Sequence, residues 1–254
     1  MSCVTLRVAD GVGWLRLNRP DAANAINMAL ASDLFDALQE AATREDVHCI
    51  VLGAEGKLFC GGGDLSDFGA DDADTMPGRI RALADNLHRS IELIEALEKP
   101  FVTSIQGTAA GAGVVLGATG DIVLASDKAK FVAAYERIGL TPDGGSTWVL
   151  PRVMGERRAM EFLLLNEPMG AAAAAACGLV TKVVAHDQLG AETGRLAAKL
   201  AKGSGWTLGQ AKKLIRSGRD AALHDQLERE ADTISRSIAR PEAREAISAF
   251  LKAK

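Results

Sequence analysis

Two glycine-rich segments are the residues of this chain whose types and spacing could do chemistry. They read Lys57-Leu-Phe-Cys-Gly-Gly-Gly-Asp64 and Ile105-Gln-Gly-Thr-Ala-Ala-Gly-Ala-Gly-Val-Val115. Each follows an apolar run rich in β-branched residues, and small residues let backbone N–H groups approach a ligand closely. Two such turns can direct two amides at one oxygen atom, which is the geometry of an oxyanion hole. The sequence therefore indicates chemistry on a carbonyl group whose oxygen gains negative charge.

Composition narrows the classes of protein to which the chain can belong. It has 254 residues, of which 48% are hydrophobic and 24% are charged, and a net charge of −4, as in ordinary globular proteins. The net charge and the lack of a basic block argue against a nucleic-acid partner. The apolar run 171–176 is far shorter than the ~20 residues of a membrane-spanning helix. We therefore expect a globular protein with neither a nucleic acid nor a membrane as its partner.

The N-terminus and the cysteines predict where the protein is located. Residues 1–4 lead directly into a strand-like pattern, without the charged and apolar regions of a signal peptide. The four cysteines, Cys3, Cys49, Cys60 and Cys177, show neither close pairing nor the spacing of metal ligands. The expectation that follows is a reduced, cytoplasmic compartment and no metal site.

Strands and helices alternate along the part of the chain that carries the glycine-rich segments. Apolar and polar residues alternate over 4–8 and 12–18, as in a hairpin, and apolar residues recur at helical spacing over 80–97. Further strands are predicted at 47–52, 101–105 and 121–125, a helix from Ile26 to Leu38, and a surface loop at 66–78. This alternation predicts an α/β core with parallel strands.

The periodicity changes near residue 187, after which only helical spacing remains. We therefore divide the chain into residues 1–195, which form the α/β core with the active site, and residues 196–254, which form a C-terminal helical region. That region is expected to serve packing and assembly rather than chemistry.

Six segments resemble, in their order and spacing, the enoyl-CoA hydratase/isomerase (crotonase) superfamily. They cover nearly the whole chain and lie at 18–27, 59–64, 107–113, 139–145, 150–155 and 176–180. The resemblance implies an α/β spiral of ββα units with a C-terminal helical region, assembled as a homotrimer or a dimer of trimers. It also implies acyl-CoA thioesters as substrates, so that coenzyme A enters as part of the substrate and not as a permanently bound cofactor.

The resemblance also assigns the two amides of the oxyanion hole. They belong to Gly63, which precedes the Asp of the first segment, and to Ala112 in the middle of the second. Ala112 is expected at the N-terminus of a helix that begins near Gly111, where the helix dipole favours an anion by ~0.3–1 kcal/mol on an exposed surface. Family members usually have Gly at this position. Since the backbone N–H is the donor, the methyl group matters only if the φ angle must be positive.

The acids and bases near the thioester decide which reaction follows. Hydratases of the family use two glutamates, and the corresponding positions here are Val115 and Tyr135. Simple hydration is therefore not expected unless another group substitutes. Glu136 is adjacent to the second position, but in an extended segment neighbouring side chains point to opposite faces.

Asp143 is the acid that remains in a suitable place. Members of the family that shift a double bond carry an acid at this position, and the segment 139–145 resembles that of the ring-1,2-epoxyphenylacetyl-CoA isomerases. One carboxylate suffices to take a proton from one carbon and to return it to another. We therefore expect an isomerase with Asp143 as acid and base, buried in a mostly apolar acyl pocket. The alternative is a turn residue or helix cap after Pro142.

His88 supports a second reading. It stands where 4-chlorobenzoyl-CoA dehalogenases carry a His; in those enzymes an Asp matching Asp143 attacks the aromatic ring and a Trp matches Tyr135. Against this reading, the dehalogenases have Asn-Asp where this chain has Pro142-Asp143, and His88 can equally be a polar residue on the helix 80–97. Two further alternatives stay open: a hydratase with non-standard acid and base residues, and a CoA-binding scaffold without turnover.

Coenzyme A needs cations for its phosphates and backbone groups for its adenine. Family members often have a basic residue just before the Asn of the first motif, but this chain has Ala23 there. The replacements that we expect are Lys57, and Lys212 or Lys213 of a neighbouring subunit. The backbone of Cys60, Gly61 and Gly62 is the expected adenine contact.

Overall fold

A six-stranded sheet and a three-stranded sheet form the core of the protein. The computed structural model describes residues 2–68 and 74–252. Within these ranges the strands are β1 (Val4–Ala9), β2 (Val12–Leu17), β3 (Cys49–Ala54), β4 (Phe101–Ile105), β5 (Ala109–Ala110), β6 (Ile122–Ser126), β7 (Lys130–Val132), β8 (Met169–Gly170) and β9 (Lys182–Val184). The larger sheet has the order β1-β2-β3-β4-β6-β9, and the smaller has the order β5-β7-β8.

The larger sheet contains the predicted hairpin and the predicted parallel core. β1 and β2 pair antiparallel, whereas the pairs from β2 to β9 are parallel. Every residue of β3 is buried, as expected for a parallel strand that is covered on both faces. Both predictions are confirmed, although β3 begins at Cys49 and not at the predicted residue 47.

Helices cover both sheets and continue to Lys252. They are α1 (Met28–Thr43), α2 (Met76–Ala96), α3 (Ala112–Ala118), α4 (Ser146–Met154), α5 (Glu156–Leu165), α6 (Ala171–Ala176), α7 (Leu189–Ala201), α8 (Gly205–Ser217), α9 (Leu223–Ala239) and α10 (Pro241–Lys252). Asn27 caps α1, since its side chain accepts a hydrogen bond of 2.9 Å from the Leu30 N–H. The buried residues of α2 include Leu87, Ile91 and Ile94, which lie at helical spacing as predicted.

The predicted loop 66–78 is shorter than its sequence suggests. Residues 65–68 form a short 3-10 turn, and α2 begins at Met76, four residues before the predicted start of the helix. Residues 69–73 of this prediction lie outside the described residues.

The predicted boundary at residues 195/196 falls inside α7. Leu189 and Ala197 of this helix are buried against strand residues that include Val51 and Val102, so α7 covers the larger sheet as part of the core. The helices beyond it, α8 to α10, begin at Gly205.

On α9, four apolar side chains, Leu223, Leu227, Ile234 and Ile238, are each at least half exposed. Within the described part of the chain, no helix is long and apolar enough to cross a bilayer.

Candidate active site

The two glycine-rich segments lie side by side and are joined by main-chain hydrogen bonds. The N–H groups of Phe59 and Cys60 donate to the Thr108 carbonyl at 3.0 and 3.3 Å, and the Ala110 N–H donates to the Cys60 carbonyl at 2.9 Å. The first segment follows β3, and the second contains β5 and the first turn of α3. The sheet therefore delivers both segments to one place, as the sequence predicts.

Glycine is required where the two segments touch. A Cβ atom on Gly62 would lie 2.9 Å from the Ala110 carbonyl oxygen, and this residue also has a φ of +91°. A Cβ atom on Gly113 would lie 2.6 Å from the Cys60 carbonyl oxygen. Real side chains do not reach such distances, so the close approach depends on these glycines.

The amides of Gly63 and Ala112 donate no hydrogen bond within the described part of the chain. Ile26 is paired with the two neighbours of Gly63. The Ile26 N–H donates to the Gly62 carbonyl, and the Asp64 N–H donates to the Ile26 carbonyl. This pairing turns the N–H of Gly63 away from Ile26. Ala112 is the first residue of α3, and the first amides of a helix have no partner inside it.

One cavity of about 590 Å³ is lined by Gly63, Ala112, Tyr135 and Asp143. The structure therefore brings together four of the residues to which the sequence assigned a catalytic role. Much of the remaining wall is apolar and includes Leu65, Met76, Ile80, Ile138 and Leu140. Ala112 is not among the residues with a positive φ angle, so its methyl group causes no backbone strain.

An ion pair fixes the residue next to Gly63. Arg19 Nη1 lies 2.9 Å from Oδ2 of Asp64 and also donates to the Ala25 carbonyl at 2.6 Å. The Ser66 hydroxyl donates to Oδ1 of Asp64 at 2.6 Å. Ser66 in the first place, and then Arg19, lower the pKa of Asp64 below its ordinary value, so this carboxyl group is ionised and firmly held at neutral pH.

Two carboxamide side chains hold the chain between β3 and the first glycine segment. Asn24 is fully buried, and its Nδ2 donates to the carbonyls of Glu55 and Leu58 at 2.9 and 3.0 Å. Gln106 Nε2 donates to the same Leu58 carbonyl at 3.0 Å. Our sequence analysis assigned no role to either side chain. Only Gln106 carried a local signal, because it lies inside the second glycine-rich segment, where loop carbonyls need donors. Asn24 is 34 positions from Leu58, so no local signal in the sequence indicated its role.

Asp143 lies at the other side of the cavity, where it accepts a hydrogen bond from the buried Tyr135. The Tyr135 hydroxyl donates to Oδ1 of Asp143 at 2.9 Å and lies 3.0 Å from Oγ of Ser146. Burial, and then the negative charge of Asp143, raise the pKa of Tyr135. Tyr135 therefore keeps its proton and acts as a donor.

Asp143 itself is exposed, so the expected burial of this residue in the pocket is wrong for the single chain. The reason is that Asp143 lies in the segment that precedes α4. Thr141 and Asp143 of this segment line the mouth of the cavity rather than its interior. Sequence reasoning also missed Ser146, which follows the turn and is buried.

The two positions that carry glutamates in hydratases lack an acid here. Val115 is fully buried on α3 and does not line the cavity, whereas Tyr135 does. The extended conformation expected around Glu136 is wrong, because residues 136–138 form a 3-10 turn. Glu136 is nevertheless exposed and is not a lining residue, so no second acid takes the missing place among the described lining residues.

The structure does not bring His88 into the cavity of Asp143. His88 lines a separate cavity of about 340 Å³ together with Glu92, Gly145 and Trp148. Ala84, one helical turn earlier on α2, lines the cavity of Asp143. The helix therefore passes from one cavity to the other between these two residues.

The candidate CoA contacts are divided among three places. Gly61 and Gly62 line the cavity, whereas Cys60 is fully buried, and burial raises the pKa of its thiol to about 12. Lys57 lines a separate groove of about 570 Å³, which also contains Arg16, Lys128 and His186.

The two lysines of α8 differ in what they can bind. Lys212 lies inside the chain: its Nζ is 2.8 Å from Oδ2 of Asp121 and donates to the Lys99 carbonyl at 3.1 Å. Burial lowers its pKa. The ammonium group of Lys212 already has partners in its own chain, which weighs against it as a CoA contact, and this contact stays a prediction. Lys213 is exposed and stays a prediction.

Comparisons with known proteins agree with one another. The sequence matches the enoyl-CoA hydratase/isomerase family over residues 7–254. It is 35% identical to the 1,2-epoxyphenylacetyl-CoA isomerase of Escherichia coli (strain K12), over 99% of this chain and 96% of that protein. It is 31% identical to 4-chlorobenzoyl coenzyme A dehalogenase-2 of Arthrobacter sp, over 97% of this chain and 90% of that protein. A crystal structure of a putative enoyl-CoA hydratase/isomerase from Mycobacterium abscessus superimposes with a TM-score of 0.93 at 33% identity, over 99% and 97% of the two chains.

Proposed function

This chain belongs to the enoyl-CoA hydratase/isomerase family, and we propose that it is an isomerase that moves a double bond of an enoyl-CoA thioester through Asp143. The observation that carries the proposal is the arrangement of one cavity. Two amides without a partner in the described chain, those of Gly63 and Ala112, line it together with a single carboxylate. The relative that is 35% identical to this chain is named 1,2-epoxyphenylacetyl-CoA isomerase, which supports the same choice.

The reaction needs only one group that accepts and returns a proton. The thioester oxygen lies between the amides of Gly63 and Ala112. The Asp143 carboxylate takes a proton from one carbon of the enoyl chain, and the C–H electron pair moves into a dienolate whose negative oxygen accepts hydrogen bonds from both amides. The carboxylic acid then returns the proton to a different carbon, the carbonyl re-forms, and the double bond has moved. Asp143 ends as it began, so no further reactant is consumed.

Tyr135 and the two amides support different parts of the reaction: Tyr135 positions the carboxylate, and the amides stabilise the negative thioester oxygen. Tyr135 donates to Oδ1 of Asp143, which leaves the second carboxyl oxygen for the travelling proton. A positioned acid or base of this kind contributes roughly 10²–10⁴-fold to a rate. Removing one donor of an oxyanion hole costs about 10²–10³-fold in other enzymes, so the two sides of the cavity contribute on a similar scale.

Coenzyme A enters this proposal as part of the substrate. The backbone at Gly61 and Gly62 is the proposed adenine contact, and Lys57, or Lys213 of a neighbouring subunit, is the proposed phosphate contact. We further propose a cytoplasmic homotrimer or dimer of trimers in which the C-terminal helices form the interface. The exposed apolar side chains of α9 support that assembly.

The test is proton exchange with solvent. The protein is incubated with a panel of acyl-CoA thioesters in D₂O, and mass spectrometry follows deuterium uptake and the position of the double bond. We expect Asp143→Asn to abolish both. Glu136→Gln is the matched control, because Glu136 is a nearby exposed acid that does not line the cavity. If Asp143→Asn leaves migration unchanged for every accepted substrate, the proposal fails.

Halide displacement from an aromatic acyl-CoA is the second candidate. The observation in its favour is the exposed carboxylate of Asp143 with an aromatic donor at Tyr135, together with the dehalogenase relative. In this reaction an Asp143 oxygen would bond to the ring carbon that carries the halogen, halide would leave, and water would cleave the resulting ester. The separate cavity of His88 weighs against His88 as the base. A quenched reaction without an aryl ester on Asp143, together with a fully active His88→Gln variant, would exclude it.

Binding without turnover is the alternative from a different class. A scaffold would bind acyl-CoA and show no deuterium at the α-carbon. The same exchange experiment therefore separates it from the isomerase, and halide release from a halogenated aromatic acyl-CoA separates it from the dehalogenase.

A further inference from the structure

Asp143, Tyr135 and Ser146 form a closed set of hydrogen bonds at one end of the cavity. The Tyr135 hydroxyl has two acceptors within reach, Oδ1 of Asp143 at 2.9 Å and Oγ of Ser146 at 3.0 Å. The Ser146 hydroxyl donates to the main-chain carbonyl of Asp143 at 2.7 Å. Ser146 is 1% exposed and Tyr135 is 8% exposed, so solvent has little access to these hydroxyl groups.

When Asp143 is ionised, every hydrogen in this set has a partner. A carboxylate only accepts hydrogen bonds, so the Tyr135 hydrogen points to Oδ1. The Ser146 hydrogen points to the main-chain carbonyl of Asp143. The charged acceptor makes the bond from Tyr135 the stronger of its two choices.

When Asp143 holds a proton, the same groups can rearrange. The neutral carboxylic acid is a weaker acceptor and is itself a donor. The Tyr135 hydrogen can then turn to Oγ of Ser146, whose own hydrogen stays on the Asp143 carbonyl. The acid proton stays on the second carboxyl oxygen, Oδ2, and neither buried hydroxyl loses its partner.

Without the Ser146 hydroxyl, the described chain offers Tyr135 no comparable second acceptor. The next oxygen is the Asp143 carbonyl, at 3.5 Å, beyond the roughly 2.5–3.0 Å of a good O–H···O bond. An unpaired buried hydroxyl is unfavourable. Tyr135 would therefore keep donating to Asp143, which favours the ionised form.

We propose that Ser146 is a positioning residue for the proton transfer, because its oxygen is the second acceptor that lets the Tyr135 hydrogen follow the protonation of Asp143. The inference rests on the proposed function, in which Asp143 must be a base and then an acid within one turnover. Ser146 acts through Tyr135 and does not touch the substrate.

Few other charges face Asp143. Within the described residues, Arg81 of α2 is the other charged side chain that lines the cavity. The Nε–H group of Arg81 donates hydrogen bonds to both carboxyl oxygens of Asp85, at 2.7 and 2.8 Å. Glu136, in the neighbouring 3-10 turn, is exposed and does not line the cavity. The hydroxyl groups of Tyr135 and Ser146 are therefore the hydrogen-bond partners of Asp143 that a substitution can remove without changing the net charge around the cavity.

The test is a titration of Asp143 by NMR in protein labelled with ¹³C at the aspartate carboxyl, with the Asp143 signal identified by its loss in Asp143→Asn. Removing the hydroxyl in Ser146→Ala is expected to lower the midpoint of the titration by about one pH unit, the equivalent of one net hydrogen bond. Tyr135→Phe removes the donor to the carboxylate and is expected to raise the midpoint by a similar amount. Ser146→Thr, which keeps a hydroxyl, is expected to restore the wild-type midpoint.

A purely structural role for Ser146 predicts a different result. Ser146→Ala would then lower the melting temperature without moving the midpoint, or would move it in the same direction as Tyr135→Phe; either result overturns the inference. If Ser146→Ala does not fold, Ser146→Cys replaces it, since a thiol keeps the shape but accepts weakly, and a smaller downward shift is expected. The titration needs no turnover. It therefore tests the inference independently of the exchange experiment with Asp143→Asn, which tests the proposed function.

Discussion

The two sides of the cavity are built in opposite ways. The amide side, with Gly63 and Ala112, consists of backbone that is held by main-chain hydrogen bonds, by close contacts at glycines and by the side chains of Asn24 and Gln106. The carboxyl side consists of Asp143, an exposed side chain on a turn, whose partner is the hydroxyl of Tyr135.

This difference separates two tasks. The position of the amide side depends on the packing of the whole fold, so its disruption should appear first as lost stability. The carboxyl side depends on one side chain and its neighbours, so changes there should alter the reaction while the protein stays folded. Four substitutions test this separation.

Asp143→Asn should produce the largest effect, and on activity alone. Loss of a positioned acid and base is expected to lower the rate of double-bond migration by roughly 10²–10⁴-fold. Because the side chain is exposed, the free energy of unfolding should stay within about 0.5 kcal/mol of the wild type. Urea unfolding and turnover are measured on the same preparation. A large loss of stability would remove the contrast between the two sides.

Gly113→Ala should show the opposite behaviour, with stability as the first quantity to change. Its new Cβ would meet the Cys60 carbonyl oxygen at 2.6 Å, and overpacking of this kind typically costs about 1–3 kcal/mol. Gly190→Ala is the matched control, since it is also in a helix and a Cβ there meets nothing within 4 Å. Urea unfolding that finds equal stability for both variants would show that the contact between the segments is not tight.

Asp64→Asn tests the ion pair beside Gly63 and depends on pH. We expect a loss of about 1–2 kcal/mol at pH 7, as is typical for hydrogen bonds to a charged group. Because Ser66 and Arg19 lower the pKa of Asp64 in the folded protein, its contribution is fully present above the pKa of the unfolded chain and is lost as the pH falls through the lower, folded value.

The difference between wild type and Asp64→Asn should therefore shrink as the pH falls below about 4. Urea unfolding over a pH series measures it, with the exposed Asp21→Asn as control. A difference that stays constant down to acidic pH would mean that the charge of Asp64 does not contribute.

Ala112→Gly should have the smallest effect. The amide is unchanged and the φ angle of Ala112 is not positive, so turnover should stay within about threefold of the wild type, a change of less than 1 kcal/mol. Stability should fall by about 0.5–1 kcal/mol, the usual difference between Ala and Gly in a helix. A strong gain in turnover would show that the methyl group obstructs the oxyanion.

The backbone half of the site could be predicted from the sequence because its signals are local. Glycine spacing and strand patterns predict two amides directed at one oxygen, the resemblance to the crotonase superfamily names them as those of Gly63 and Ala112, and the fold brings both residues to one cavity. The identity of Asp143 followed from the same register. These predictions need only the path of the chain, which short-range patterns describe well.

Side-chain partners could not be predicted in the same way. Helical periodicity places Lys212 on α8 but does not show that Asp121, ninety-one positions earlier, lies 2.8 Å from it. The same periodicity places His88 one turn after Ala84 but does not show that a cavity ends between them. Ser146 and Asn24 owe their roles to partners that only the folded chain supplies.

The burial of Val115 sets a condition on how this active site could change its chemistry during evolution. Val115 is fully buried, and its Cγ1 lies 3.9 Å from where a Cβ on Gly145 would stand. A glutamate introduced there would enter the protein interior, where a carboxyl group without donors becomes neutral rather than charged. A second acid that is charged at this position would therefore also need hydrogen-bond donors or solvent beside it, so a single substitution of Val115 is not expected to create a two-acid site.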